Sequence, residues 1–457
     1  MSYIEELKHI LGDYLITDPV AKLPYFKDAS YLPGVEPLAI AIPENAEQLQ
    51  AVMRICYENS IQVTPRGGGT SLTGSSIPSK NSLVVSFARM NKIIEINTAD
   101  RYVHVESGVR LDDLNAYLSK MNFIYPPDPG SSIAATVGGS LSTNAGGLRA
   151  VLYGATKEWV LGLEVVLSDG TLIQTGGKVL KRSDGYDLTA LMIGSEGTLG
   201  LITKAFLKIA ARPERIGRII SYYGDIEMAS SAISLLKSKG ITPLMAEFMD
   251  RIAMDSIQKT KGVNFPGDAR YMVMVDISST NESLERVLRE SYEIIRSTGP
   301  ISIYTTTDEE EMQSLSRIRK GLYSAELSER SSRDEMIMTG DIVVPSSRLP
   351  QAMKELEGKR NSLKVSLFGH VGDGNIHANI FFDGGSFEAA KNYLRLMGEV
   401  AVRYGGSISA EHGIGLEKKE MFEEELRARG SLRILEIMKG IKKVMDPKGI
   451  LNGGKIF

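Results

Sequence analysis

Cysteine is almost absent from this chain. Cys56 is the single one in 457 residues, so no disulfide framework can form, and a protein-ligated iron–sulfur cluster, which needs several thiolates, is excluded. A dominant charge is missing too: 53 basic residues face 56 acidic ones, which leaves no electrostatic case for a nucleic-acid partner. No apolar run approaches the roughly 18 residues of a transmembrane helix, and the acidic-amphipathic start MSYIEELKHI does not read as a signal peptide. The expected location is cytoplasmic, with any membrane attachment made peripherally through a partner. No G-x-G-x-x-G occurs, which argues against a Rossmann nucleotide domain. Fixed-period repeats and low-complexity tracts are also missing.

Histidine is scarce as well, and its placement is the most informative feature. Of five histidines, three fall in two short segments: His370 and His377 in FGHVGDGNIHANI (368–380), and His412 in SAEHGIG (409–415), with Glu411 beside it. Imidazole and carboxylate are the usual ligands of a zinc-like ion, and three of them with one open position make a catalytic rather than a structural site. The spacing predicts a hairpin, with a strand over 365–370, a glycine-rich turn over 371–375 and a returning strand over 376–382. Opposed residues at a hairpin base have Cβ atoms about 5 Å apart, so His370 and His377 are expected to be neighbours. Asn379 shares a strand face with His377. Glu411 and His412 are consecutive and are expected to point different ways, one ligating and one serving as a base. The plainer reading, surface histidines capping turns, suits one histidine better than a convergent cluster.

At this length one core does not suffice, and two or three domains are expected. The first half alternates helix-like and strand-like segments. Asn45 caps a helix over 46–59 with Gln48 in capping-box position, and Leu49, Val52, Met53 and Cys56 form its apolar stripe. Short strands are predicted over 61–64, 82–87, 93–97, 102–106, 160–167 and 171–175, with a helix over 112–121. This is α/β or α+β material. The character changes near Ala211-Arg212-Pro213: long amphipathic helical stretches follow, notably 283–297 and 309–329, with a strand over 271–277. A boundary is placed near 211. The short glycine-rich end, 446–457, is expected to pack back on the first domain.

Three glycine-rich stretches lie in the first half: PRGGGTSLTG (65–74), TVGGSLSTNAGG (136–147, followed by Arg149 and Gly154) and GSEGTLG (194–200). Glycine lets a backbone adopt positive φ and approach a ligand closely, and successive N–H groups then form an anion-binding nest. Glycine runs are commonly just turns. Three of them in one domain, interleaved with Ser and Thr, favour a large pyrophosphate-containing cofactor.

The order PRGGGTSLTG, TVGGSLSTNAGG, GSEGTLGLIT, GHVGDGNIH, EHGIG and DPKGILNGGKIF resembles the FAD-linked 2-hydroxyacid oxidoreductases. These are flavoproteins of the vanillyl-alcohol oxidase type and include glycolate oxidase flavin subunits, D-lactate dehydrogenases and D-2-hydroxyglutarate dehydrogenases. The resemblance spans about 25–457; the glycine loops are shared with many flavoproteins, while the paired histidine motifs are more specific. It implies an α+β chain: a two-subdomain vanillyl-alcohol oxidase/PCMH-type FAD-binding domain over 1–210, an α/β cap (substrate) domain with the metal site over 211–445, and a tail, 446–457, returning to the FAD domain. It implies FAD held by Pro65, Arg66, Gly67, Gly68, Gly69, Thr70, Ser71 and Gly74, by Pro129 and Gly130, and by Thr136, Gly138, Gly139, Ser142, Asn144, Gly146, Gly147 and Gly154. Glu196, Gly200 and Ile202 would contact the adenosine side, and Asn452 the flavin. Some relatives attach FAD through a histidine in the first glycine loop; 65–74 contains none, so a non-covalent cofactor is expected.

The same resemblance makes His370, His377 and Glu411 ligands of a divalent metal, with zinc the first expectation. Asn379 and His412 would contact or deprotonate substrate, and Arg319 would anchor its carboxylate. The 2-hydroxyglutarate branch resembles a pattern with a lysine where this chain has Thr339, so a shorter acid such as lactate or glycolate fits better. The implied partners are a small 2-hydroxy acid and an external electron acceptor: a partner subunit, a quinone, a cytochrome or an electron-transfer flavoprotein. A homodimer is compatible with this. A metal-dependent hydrolase and a non-catalytic flavin subunit stay open as alternatives. A related flavoenzyme that rearranges a lipid precursor is disfavoured, because its run of consecutive histidines is missing.

Overall fold

The computed structural model describes residues 2–457. They divide into two compact units. The first takes the chain through Gly146, then Ala155–Arg212 and Glu411–Phe457; the second takes Gly147–Gly154 and Pro213–Ala410.

In the first unit, strands β1 (Leu15–Ile16), β2 (Ala39–Ala41), β3 (Val63–Arg66) and β4 (Leu83–Ser86) form a sheet in the order β1-β2-β4-β3, with β2 and β3 parallel to β4. The helix Ala46–Glu58 covers it because Leu49, Val52, Met53 and Cys56 recur at helical spacing and all reach zero exposure. Asn45 caps this helix by accepting the Gln48 N–H at 2.9 Å, but the Gln48 side chain accepts from Glu44 rather than Asn45, so the capping box is displaced by one residue. A second, antiparallel sheet follows. Strands β5 (Ile93–Asn97), β6 (Tyr102–Glu106), β8 (Val160–Val166), β9 (Leu172–Gly176) and β10 (Leu201–Lys208) order as β5-β6-β10-β8-β9, while β7 (Phe123–Ile124) pairs with β11 (Ala210–Ala211). The tail joins the first sheet: Val63 N–H donates to Ile450 O, Asn452 N–H donates to Val63 O, and Val63 bridges Leu451 in parallel.

The second unit is built on one antiparallel sheet of seven strands: β12 (Arg215–Tyr223), β13 (Met245–Asp250), β14 (Tyr271–Ser279), β15 (Ser302–Thr306), β16 (Met336–Val343), β17 (Val365–Gly369) and β18 (Asn375–Phe382). Their order is β15-β12-β14-β13-β17-β18-β16. The sequence pointed to helices over most of this region. The strands expected over 271–277, 365–370 and 376–382 are β14, β17 and β18, while β12, β13, β15 and β16 escaped notice; β13 is buried at all six positions and β12 at its last seven, so no alternation of apolar and polar residues marks those two. The helix expected over 309–329 is two helices, Glu309–Lys320 and Leu322–Ser328, separated at Gly321.

The domain end expected at 445 also needs correction. The helices Lys419–Ala428 and Arg433–Met445 belong to the first unit. Lys442 is tied there by donating to Thr198 O and Leu451 O, and Ile441 and Met445 pack on the core of the second sheet. Among the described residues no helix is long and apolar enough to cross a membrane.

Candidate active site

Strands β17 and β18 pair as the two legs of a hairpin, with Phe368 opposite His377, and His370 follows β17 directly. The two imidazoles lie 5.2 Å apart, centroid to centroid, and nearly perpendicular at 87°. Both are buried. Each has a carboxylate at its Nδ1. Glu247, on β13, places Oε1 2.6 Å from His370 Nδ1. Asp341, paired with His377 in the register of β16 and β18, places Oδ1 3.5 Å from His377 Nδ1. An ionised carboxylate can only accept, so a hydrogen on His370 Nδ1 faces Glu247 and Nε2 lies on the far side of the ring. An imidazole hydrogen-bonded to a carboxylate at Nδ1, as His370 is, is the arrangement in which proteins present Nε2 to a cation, and with His377 beside it the pair fits a divalent metal.

Asp341 is held firmly. Its carboxylate accepts from Asn375 Nδ2 at 2.8 Å and from the Ala410 N–H at 3.0 Å. Neither Glu247 nor Asp341 was picked out from the sequence. Each is one carboxylate among 56 acidic residues, and only strand pairing brings them to the histidines.

Arg319 lies on the helix Glu309–Lys320 and is buried. Its Nη2 forms an ion pair with Glu247 Oε2 at 2.8 Å, its Cζ sits 4.9 Å from the Phe368 ring centroid, and its Nε has no hydrogen-bond partner. The free two-pronged grip expected of it is thus already partly committed to Glu247. Asn379 stands one pleat beyond His377 on the same face and is fully buried. Its Oδ1 accepts from Thr339 Oγ1 at 2.9 Å and its Nδ2 donates to Glu326 Oε2. Burial pushes the Glu326 carboxyl up to about 7, against the opposing pull of its Ser366 and Asn379 partners. Thr339, where the resemblance placed a lysine in the longer-acid branch, is itself buried and spent on Asn379.

Glu411 and His412 open the last segment of the first unit. They do not point apart. The chain bends through 410–412, and the Glu411 Oε1 lies 4.0 Å from His412 Nε2. A Cβ on Gly146 would meet Glu411 Oε2 at 2.9 Å, so the carboxylate rests against the bare backbone of the second glycine stretch. The His412 carbonyl accepts from Thr73 Oγ1 at 3.2 Å.

The glycine stretches converge within the first unit. A Cβ on Gly67 would lie 2.4 Å from Thr136 Oγ1, and one on Gly68 2.0 Å from Ala134 O, so the first stretch packs tightly on the start of the second and on the residues just before it. The second stretch is not a loop throughout: Thr136 caps a helix, Val137–Thr143, that ends at Asn144 in the left-handed region. Ser142 Oγ and Asn144 Oδ1 are occupied within the protein, by Gly138 O and the Lys157 N–H. Gly147 and Gly154 bound the short segment belonging to the second unit. Glu196 is a clamp: its carboxylate accepts from Ser75 Oγ and from the Ile414 and Gly415 N–H groups. Ile202 lies in the apolar core, and the space beside Gly200 is taken by Val165. At 196, 200 and 202 it is thus the backbone that is left to face a cofactor. Asn452 Nδ2 donates to Ser75 O and Glu196 O. Buried around these segments, Arg66 Nη1, Ser76 Oγ, Ser107 Oγ and Asn452 Oδ1 have no partner in the protein. Buried polar atoms of this kind call for a polar guest, and with a side-chain-free glycine surface they fit a dinucleotide such as FAD.

Comparison with known proteins divides the chain near the same point, between 176 and 212, but its second match runs on through residues that fold with the first unit. Residues 37–176 match the family described as FAD binding domain, and residues 212–456 match FAD linked oxidases, C-terminal domain. Glycolate oxidase subunit GlcD of Bacillus subtilis is 32% identical over 99% of this chain and 96% of its own. D-lactate dehydrogenase of Anaerostipes hadrus is 32% identical over the same shares. D-2-hydroxyglutarate dehydrogenase of Xanthomonas citri pv. viticola is 31% identical over 97% of this chain and 94% of its own. Among solved structures, p-cresol methylhydroxylase with substrate bound superposes with a TM-score of 0.79 at 18% identity, over 99% of this chain and 96% of that one. Alkyldihydroxyacetonephosphate synthase superposes at 0.77 and 17%, over 99% and 84%. At such identities these two speak for the fold, a PCMH/vanillyl-alcohol oxidase-type FAD-binding domain followed by a C-terminal domain. The chain belongs to the FAD-linked oxidoreductases of the glycolate oxidase, D-lactate dehydrogenase and D-2-hydroxyglutarate dehydrogenase family.

Proposed function

We propose that this protein is a FAD-dependent dehydrogenase that oxidises a small D-2-hydroxy acid, D-lactate or glycolate, to the 2-oxo acid. The observation that carries the reading is the His370–His377 pair, with Glu247 hydrogen-bonded to His370 Nδ1 and Asp341 3.5 Å from His377 Nδ1, in a chain whose relatives bear the names of hydroxyacid enzymes. His370, His377 and Glu411 would hold a divalent cation, zinc first, and the glycine stretches together with Asn452 would hold FAD non-covalently. When bound, the flavin supplies a hydride acceptor and the cation a Lewis acid for the substrate hydroxyl.

The rest is done by side chains. His412 takes the hydroxyl proton, which suits an imidazole whose free pKa of about 6.5 lies near neutrality. Arg319 supplies positive charge for the substrate carboxylate, with Nε–H as the donor left unused inside the protein. Asn379 is a prepositioned amide, locked by Thr339 and Glu326. Thr339 offers no cation for a second carboxylate, which weighs against 2-hydroxyglutarate although a relative at 31% identity carries that name. One cysteine cannot hold a cluster, so electrons pass to an external acceptor: a partner subunit, a quinone, a cytochrome or an electron-transfer flavoprotein. Stoichiometric peroxide release in turnover would contradict this.

The test is anaerobic flavin reduction with D- and L-lactate, glycolate, malate and 2-hydroxyglutarate, before and after chelation. Bleaching by D-lactate or glycolate, lost on chelation and restored by zinc, is expected. A colourless protein would instead favour a metal-dependent hydrolase. A yellow one that no hydroxy acid bleaches would favour a non-catalytic flavin subunit.

A further inference from the structure

We propose that Glu247 is a positioning residue for the cation site, fixing the tautomer of His370 and holding Arg319 in the same stroke. The inference rests on the cation reading above. Glu247 is fully buried on β13, and its two oxygens are divided between two partners: Oε1 to His370 Nδ1 at 2.6 Å, Oε2 to Arg319 Nη2 at 2.8 Å. Arg319 in turn lies over the Phe368 ring, and that ring stands 5.3 Å from His377, its partner across the hairpin. One carboxylate therefore links a cation-facing imidazole to the arginine meant for the substrate carboxylate. The strand register sets this up: Phe248 pairs with Gly369, which brings the residue before Phe248 beside the residue after Gly369.

The two partners need each other. A lone carboxylate or guanidinium at this depth would be an uncompensated buried charge. Tied to Arg319 through Oε2, Glu247 presents Oε1 to His370 Nδ1, which favours the hydrogen on Nδ1 and leaves Nε2 as the nitrogen for the cation. Glutamine at 247 would offer an N–H to Nδ1 as readily as an oxygen, and the tautomer would no longer be dictated.

The test compares zinc affinity in the flavin-loaded protein, by competition with a chromophoric chelator. Glu247→Gln should weaken zinc binding by about 10–100-fold, Glu247→Asp should recover part of that loss, and Arg319→Gln should cost less than Glu247→Gln. Nitrogen-15 shifts of His370 in metal-free protein should report the Nδ1–H tautomer in the wild type and its loss in Glu247→Gln. Should the single variant fail to fold, Glu247→Gln with Arg319→Gln, which leaves neither member of that pair charged, carries the same expected loss. Stoichiometric zinc binding that is equal in wild type and Glu247→Gln overturns this inference alone. Absence of zinc binding in the wild type overturns the cation reading beneath it.

Discussion

Replacing Glu326 by glutamine isolates one pH-dependent contribution to stability. The Glu326 carboxyl is buried between Asn379 and Ser366, with Asp250 adding negative charge nearby, and burial lifts it from the ordinary 4.5 to about 7. The sign follows from proton counts. Between about 4.5 and 7 the folded protein keeps a proton that the unfolded chain has released. Stability from this group is therefore full below about 4.5 and falls as pH rises toward 7. At about 1.4 kcal/mol per unit the loss is on the order of 3 kcal/mol. Glutamine mimics the protonated acid in shape and can still accept from Asn379 Nδ2. The measurement is thermal unfolding of both proteins from pH 4.5 to 8. The variant should match the wild type at the acid end and exceed it by roughly 6–12 °C near pH 8, at about 2–4 °C per kcal/mol for a unit of this size. A wild-type-minus-variant difference that stays flat across that range refutes the reasoning.

Three further expectations can be checked directly. His412→Ala should lower kcat by about 10²–10⁴-fold while the yellow flavin stays bound; near-normal turnover removes His412 from the chemistry. Gly68→Ala would drive a Cβ to 2.0 Å from Ala134 O, a backbone atom that cannot swing aside. It should cost at least about 1–3 kcal/mol and release flavin on gel filtration, and a stable, fully flavinated variant would refute that packing. Arg218 forms a buried pair with Asp276 at 2.6 and 2.7 Å and also donates to Met312 O. Arg218→Met should therefore destabilise the second unit by about 3–5 kcal/mol in urea unfolding, and a loss below about 1 kcal/mol would show that the pair is not needed.

Local features were legible wherever a residue's role depends on its chain neighbours. The stripe Leu49, Val52, Met53, Cys56 and the Asn45 cap announced their helix, and the glycine-rich turn expected over 371–375 announced the hairpin that sets His370 beside His377. Strands β5 and β6 fell where alternation and turn residues placed them. Four of the seven strands of the second unit's sheet did not show; β12 and β13, buried almost throughout, carry no period. The break at Gly321 inside one amphipathic pattern was hidden for a related reason: the apolar spacing on either side suits one helix as well as two.

What the sequence determined alone was the inventory: three histidines in two motifs, three glycine stretches, one cysteine, and an order of motifs specific enough to name a family. Those are properties of residue type and spacing, which survive without coordinates. Tertiary structure alone decided which carboxylates stand behind the imidazoles, that Glu196 clamps segments instead of reaching outward, and that Arg319 is already paired. Glu247 is 123 residues from His370 and Arg319 a further helix away. Contacts at such separation are set by strand register and burial cost, and neither is written in any local stretch of the chain.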